Sequence, residues 1–172
     1  WLIAGSYKLF GVNEFAARFP SASAAILLVL LCFWFVKRVV NEEIGFLSAL
    51  ILASSFEYMI LAVVCNTDML LCFCVCAAFV FFYFGYNSFF PRLSIIIFYL
   101  CMGAGVIVKG LAGIVIACLV VGIFLLLRKR LGYLKKMINP IGIIVFLCVV
   151  TPWFFAIIKT HGWDYFRLFF IQ

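Results

Sequence analysis

Few residues in this chain can do chemistry, and most stand at the margins of long apolar runs. Asp68 sits in Thr67-Asp68-Met69, a tight turn between two such runs. A carboxylate there either caps the helix that follows or points into a site. Lys109 opens a Lys-Gly turn with Gly113 three residues beyond Gly110. The order is Lys-Gly and not Gly-Lys-Ser, so this is no phosphate-cradling P-loop. Lys109 either snorkels to the membrane surface or contacts a phosphate. Glu57 lies inside an apolar run, roughly two turns from its end. An intramembrane carboxylate marks function unless it is neutral or paired with a neighbouring hydroxyl, here Ser54 or Tyr58. His161 follows Pro152-Trp153 with no second ligand in the chain, which favours an interface residue over a metal ligand. Cys72 and Cys76 share a helix face while Cys74 points away, and no histidine stands near. These thiols read as small buried hydrophobes, and no metal site is expected.

The elements that position these groups follow from composition. Of 172 residues, 69% are apolar and 11% charged, which excludes a soluble globular domain. The apolar runs cover 21–36, 44–65, 69–86, 93–108, 111–127 and 141–158. Each is near the ~20 residues that cross a ~30 Å hydrocarbon layer. Lipid offers backbone groups no partner, so such runs must be helices. The expectation is an all-α polytopic transmembrane bundle of about six spans, with 1–172 one transmembrane domain fragment. Before the first run, Gly11 to Pro20 reads GVNEFAARFP. Asn13 is a helix N-cap there, Phe15 and Phe19 share one face, and Glu14 and Arg18 share another. Residues 1–20 are therefore expected to form an outer-face interfacial segment leading into the first span, the other reading being a plain amphipathic lead-in to that span. Pro152-Trp153 is expected to kink and anchor the last helix.

Charge placement sets an orientation. Arg128, Lys129, Arg130, Lys135 and Lys136 cluster between the fifth and sixth runs, and the positive-inside rule puts them in the cytoplasm. Alternation then places Lys37, Arg38 and Arg92 inside too, and Arg18, Asp68, Lys109, Lys159, His161, Asp164 and Arg167 outside. The net charge of +7 is spread over loops between spans, while the aromatic residues lie in the spans, so no nucleic-acid partner is expected. The chain opens at Trp1 without a signal peptide pattern and is read as an internal piece of a longer protein.

Taken together, Trp1 with GVNEFAARFPSA (11–22), Thr67-Asp68-Met69, Lys109-Gly110-x-x-Gly113, Pro152-Trp153 and His161-Gly162-x-x-x-Phe166 resemble a known family. They look like the membrane core of the aminoarabinose transferase / protein O-mannosyltransferase superfamily, whose members are glycosyltransferases of the GT-C fold. The resemblance runs over nearly the whole chain in the family's order. It implies transfer of a sugar from an undecaprenyl- or dolichyl-type phosphate carrier to a lipid or protein acceptor, at the outer face of a bacterial inner membrane. By the same resemblance Asp68 is a supporting catalytic carboxylate, and Arg18 and Lys109 are substrate-binding cations. The family's principal acidic residue and a Lys-Pro-Pro-like stretch would lie upstream of Trp1. Its His and Arg follow a stretch like Phe169-Phe170 and would lie beyond Gln172, so His161 does not match that histidine. The fragment alone is expected to be inactive and to hold no cofactor, with a divalent metal left open for the complete enzyme. Two other readings remain: a segment of a transporter or channel, whose outer charges and Glu57 would line a path, or a non-functional relic of the transferase.

Overall fold

The computed structural model describes residues 2–87 and 91–171, with the side chains of 91, 135 and 160–171 outside the description. Every described element is helical: α1 (Leu2–Phe10), α2 (Glu14–Val39), α3 (Glu42–Ser54), α4 (Phe56–Val63), α5 (Asp68–Tyr86), α6 (Pro91–Lys109), α7 (Ala112–Leu127), α8 (Tyr133–Met137) and α9 (Pro140–Ile171). The chain divides into two compact units, Trp1–Phe73 and Cys74–Gln172.

In the first unit α1 stops at Gly11, whose φ of +77° is one that glycine adopts without a Cβ clash. Asn13 then starts α2 as a side-chain cap, its Oδ1 accepting from the Ala16 amide at 2.7 Å. Asn41 does the same for α3, accepting from Ile44 at 2.8 Å, and a Lys37–Glu42 ion pair of 2.8 Å closes the intervening turn. α2 packs against α1, α3 and α4. The Tyr58 hydroxyl donates to the Ala25 carbonyl at 2.6 Å, fastening α4 to the middle of α2.

In the second unit α6 packs on α7 and α9. Its core joins Ala78 and Phe82 of α5, Phe98 and Met102 of α6, Ala117, Val121 and Leu125 of α7, and Met137 of α8. Small residues set the α6–α7 distance: a Cβ on Gly113 would lie 2.8 Å from the Gly105 carbonyl carbon. Such close backbone approach is how helices associate where burial gives no drive.

All six apolar runs become helix, but not six equal spans. Among the described residues four helices are long and apolar enough to cross a membrane: α2, α5, α6 and α9 over Pro140–Lys159. The second run is broken. Ser55 takes an extended backbone, φ −66° and ψ +126°, and α3 and α4 meet at 65°, a fifth span if the bent pair is counted as one. The fifth run is α7, 16 residues, which at 1.5 Å per residue reaches about 24 Å. Residues 11–20 do not form a helix of their own, because α2 runs from Glu14 straight through Pro20 into the apolar segment. The separate short helix is α1. At the far end α9 continues past Pro152 as one element.

Candidate functional site

The first unit brings Arg18 and Asp68 to one end, and the bonds that do so are local and specific. Ser21, one turn along α2 from Arg18, donates its hydroxyl to the Asn66 carbonyl at 3.1 Å. The Cys65 thiol donates to the Ala17 carbonyl at 3.4 Å. The turn that ends in Asp68 is therefore stitched to α2 on either side of Arg18, through the Ser21 side chain and the Ala17 carbonyl. Asn66 shapes the rest: its Oδ1 accepts from the Thr67 amide at 2.7 Å, and its Nδ2 donates to Asp68 Oδ2 at 2.6 Å. Asp68 begins α5, so its carboxylate also lies at the positive end of that helix. The helix-starting position is the first of the two alternatives for Asp68, and Asn66 fixes the orientation of the carboxylate there.

Arg18 is half exposed and lies 3.7 Å from Glu14, one helical turn back. An exposed pair this long contributes little to stability and leaves the guanidinium available. Phe15 and Phe19 share a face as expected, their ring centroids 5.8 Å apart, and Phe10 of α1 completes the cluster at 5.5 and 5.0 Å.

Beside this charged end the unit forms an open apolar cavity of about 430 Å³. Leu2, Ser6 and Leu9 of α1, Phe19, Ala24 and Leu27 of α2, and Leu70 and Phe73 of α5 are among its walls. Phe19 and Leu70 are near neighbours in sequence of Arg18 and Asp68. Two serines interrupt the apolar lining: Ser23 donates to the Pro20 carbonyl at 2.9 Å, while the Ser6 hydroxyl, 4% exposed, has no hydrogen-bond partner among the described residues.

Lys109 belongs to the second unit. It ends α6, exposed, and Gly110 after it has φ +63° with its amide donating to the Val106 carbonyl at 2.8 Å. The Lys-Gly pair is thus first a helix C-cap of the left-handed type. Glu57 departs from expectation. It is exposed in the first turn of α4, just after the Ser55 break, rather than inside an unbroken helix. Of the two proposed hydroxyls, Ser54 donates to the Ile51 carbonyl and Tyr58 to the Ala25 carbonyl. Among the described residues no three His, Cys, Asp or Glu side chains gather in a metal-holding group, and Cys74 is buried. The His161 side chain lies outside the described residues.

Asn66, Ser21 and the α1 wall of the cavity were not singled out from sequence. Asn-x-Asp before a helix is an Asx-turn signal that points to Asn66, but Ser21 and Ser6 carry no local mark.

The fold is that of a multi-pass membrane protein. It superposes on ArnT from Cupriavidus metallidurans bound to undecaprenyl phosphate with a TM-score of 0.93 at 23% identity, covering 99% of this chain and 32% of that one. The apo form of the same protein gives 0.91. Residues 1–155 match the model for the dolichyl-phosphate-mannose-protein mannosyltransferase family, and the chain belongs to that family. An undecaprenyl phosphate-α-4-amino-4-deoxy-L-arabinose arabinosyl transferase of Pseudomonas fluorescens (strain Pf0-1) is 32% identical over 99% of this chain. Its counterpart in Aeromonas hydrophila is 29% identical. The chain spans about a third of the length of these relatives, 31% in both cases.

Proposed function

We propose that the complete protein is a glycosyltransferase that moves a sugar from an undecaprenyl- or dolichyl-type phosphate carrier to a lipid or protein acceptor at the outer face of the membrane. On this reading the present chain alone is inactive. What supports it is one coincidence within a family-typical fold: Arg18 and an oriented Asp68 share one end of the first unit with an apolar cavity of about 430 Å³. Such a pairing suits a donor with a charged phosphate head and an isoprenoid tail.

In the reaction the acceptor oxygen attacks the anomeric carbon and the bond from that carbon to the phosphate oxygen breaks. The polyprenyl phosphate leaves with the electron pair, and the acceptor proton passes to a carboxylate. Asp68 is the supporting carboxylate, held by Asn66, and the principal one comes from outside this chain. Arg18 is assigned to the growing charge on the leaving phosphate, where a fixed cation acts without reorganising. Lys109 is assigned more generally as a substrate-binding cation. No cofactor is assigned to this chain.

The test uses the full-length protein in membranes with a labelled polyprenyl-phosphate sugar. Asp68→Asn should lower transfer by about 100-fold, within the range of a lost proton acceptor, while insertion and expression stay normal. Unchanged turnover removes Asp68 from the site, and no consumption of any carrier-linked sugar by the wild type sinks the whole reading. The transporter alternative has one observation behind it, the bent pair α3–α4. Transporters repeat such breaks in matching halves, and among the described residues only one bent pair is present.

A further inference from the structure

We propose that the second unit carries a binding site for the phosphate headgroup of an anionic membrane lipid, at the opposite end from Lys109. It is a cavity of about 410 Å³ lined by Tyr83, Tyr86, Asn87, Phe124, Arg128 and Arg130.

The site is built by the way α7 ends. The Lys129 amide donates to the Leu126 carbonyl and the Arg130 amide to the Leu125 carbonyl, both at 3.0 Å, while Lys129 turns to φ +52°. This is a Schellman turn with lysine in the left-handed position that glycine usually fills. The turn uses up carbonyls that would otherwise repel an anion. It also brings Arg128 and Arg130, two residues apart, to one cavity. Arg128 lies over the Phe124 ring, 5.7 Å from its centroid. Phe124 is itself clamped edge-on by Tyr86 at 5.4 Å and by Phe82 at 5.6 Å. Tyr133 packs on Tyr86 at 5.2 Å, and burial, then the Tyr86 neighbour, push its phenol above the ordinary range. Edge-to-face ring contacts thus hold the aromatic wall together.

Among the described residues of the second unit the two guanidinium groups meet no carboxylate. Between Asp68 and Asp164 the sequence holds no acidic residue, a stretch that includes Arg92, Arg128, Lys129, Arg130, Lys135 and Lys136. Among the described residues neither Arg128 nor Arg130 has an ion-pair partner. The missing counter-charge must come from outside this stretch. A phosphodiester fits, because arginine forks offer paired donors to its two non-bridging oxygens. The lipid source fits better than free phosphate, since Leu127 and Leu131, next to the arginines in sequence, are 78% and 51% exposed and give acyl chains a landing. Basic pockets at this depth are a known lipid-recognition device. The bland account, cations complementing a helix C-terminus under the positive-inside rule, explains the charge but not an aromatic-walled cavity around it.

The experiment measures lipid binding to the full-length protein in detergent by native mass spectrometry, with phosphatidylglycerol, phosphatidylcholine and inorganic phosphate as probes. Phosphatidylglycerol should bind at least about tenfold tighter than phosphatidylcholine, as two charge-assisted bonds warrant. Arg128→Gln with Arg130→Gln should abolish that preference. Arg38→Gln with Lys136→Gln removes the same charge elsewhere and should leave it intact. If the glutamine pair fails to fold, Arg128→Lys with Arg130→Lys keeps the charge, loses the fork, and should still cost a few-fold. A preference that survives the arginine changes overturns the proposal, and so does equal loss in the charge-matched control. Displacement of the lipid by inorganic phosphate at equal concentration overturns it too, because the site would then take a free anion.

Discussion

The Ser21 hydroxyl donates to the Asn66 carbonyl at 3.1 Å, across 45 residues of sequence, and so joins the start of one long helix to the turn that delivers Asp68. Asn66 in turn holds the Asp68 carboxylate at 2.6 Å. The relay Ser21–Asn66–Asp68 makes the position of the carboxylate a property of α2, the helix that also carries Arg18.

Removing the middle of that relay should therefore separate position from presence. Asn66→Ala deletes the side-chain bonds to Asp68 and to the Thr67 amide and hydroxyl, and keeps the Asp68 side chain. Sugar transfer by the full-length protein is expected to fall by roughly tenfold, from misplacement of a group still there. Thermal stability should drop by about 1 kcal/mol, the net value of such bonds. The check is kcat alongside a melting curve. A stability loss with unaltered kcat would make Asn66 a turn former and nothing more.

Helix contact in the second unit gives a prediction about folding alone. Gly113→Ala places a methyl 2.8 Å from the Gly105 backbone, which cannot rotate aside. The cost is expected at about 1–3 kcal/mol, typical of overpacking. Gly122 lies on the same helix with nothing within 4 Å of an added Cβ. Gly122→Ala should be neutral or slightly stabilising, by up to about 1 kcal/mol. Unfolding in mild detergent distinguishes the two variants, and equal effects would count against the close approach.

Tyr58 tests the fastening of the broken run. Its hydroxyl reaches the Ala25 carbonyl at 2.6 Å, and Tyr58→Phe removes that bond while keeping the ring. In a membrane such a bond averages about 0.6 kcal/mol, so a small loss of stability is expected. Increased hydrogen exchange confined to α4 would be its clearest sign.

Much of this architecture was legible because lipid allows so few backbone solutions. Apolar runs without charges had to be helices, and Asn13 ahead of the first of them read as the cap it is. The Ser55 break was not legible: Ser54-Ser55 sits in an unbroken apolar run, and nothing in local propensity demands an extended residue there. Phe56 and Glu57 therefore read as mid-span, whereas they open a new helix. Pro20 misled in the opposite direction: it closes the segment ahead of the first apolar run, yet α2 runs straight through it. For the site, Asp68, Arg18 and Lys109 stood out as charges in an apolar chain, and the family resemblance supplied their roles. Ser21 and Asn66 are ordinary polar residues, and only a contact across 45 positions reveals their part.

The Lys-Gly turn allows the two meanings of one motif to be pulled apart. Gly110 has φ +63°, where a Cβ is strained, so Gly110→Ala should cost roughly 1 kcal/mol in stability. Lys109 has no such backbone role, and its side chain is exposed at the end of α6. If it binds substrate, Lys109→Gln should raise KM for the carrier-linked sugar about tenfold, the effect of one lost charged hydrogen bond, with melting unaltered. Lys109→Arg should recover most of the affinity, because the charge remains. Steady-state kinetics on the three variants, with melting curves, would assign the motif. A KM that does not move in Lys109→Gln leaves the pair as a helix cap whose lysine only snorkels.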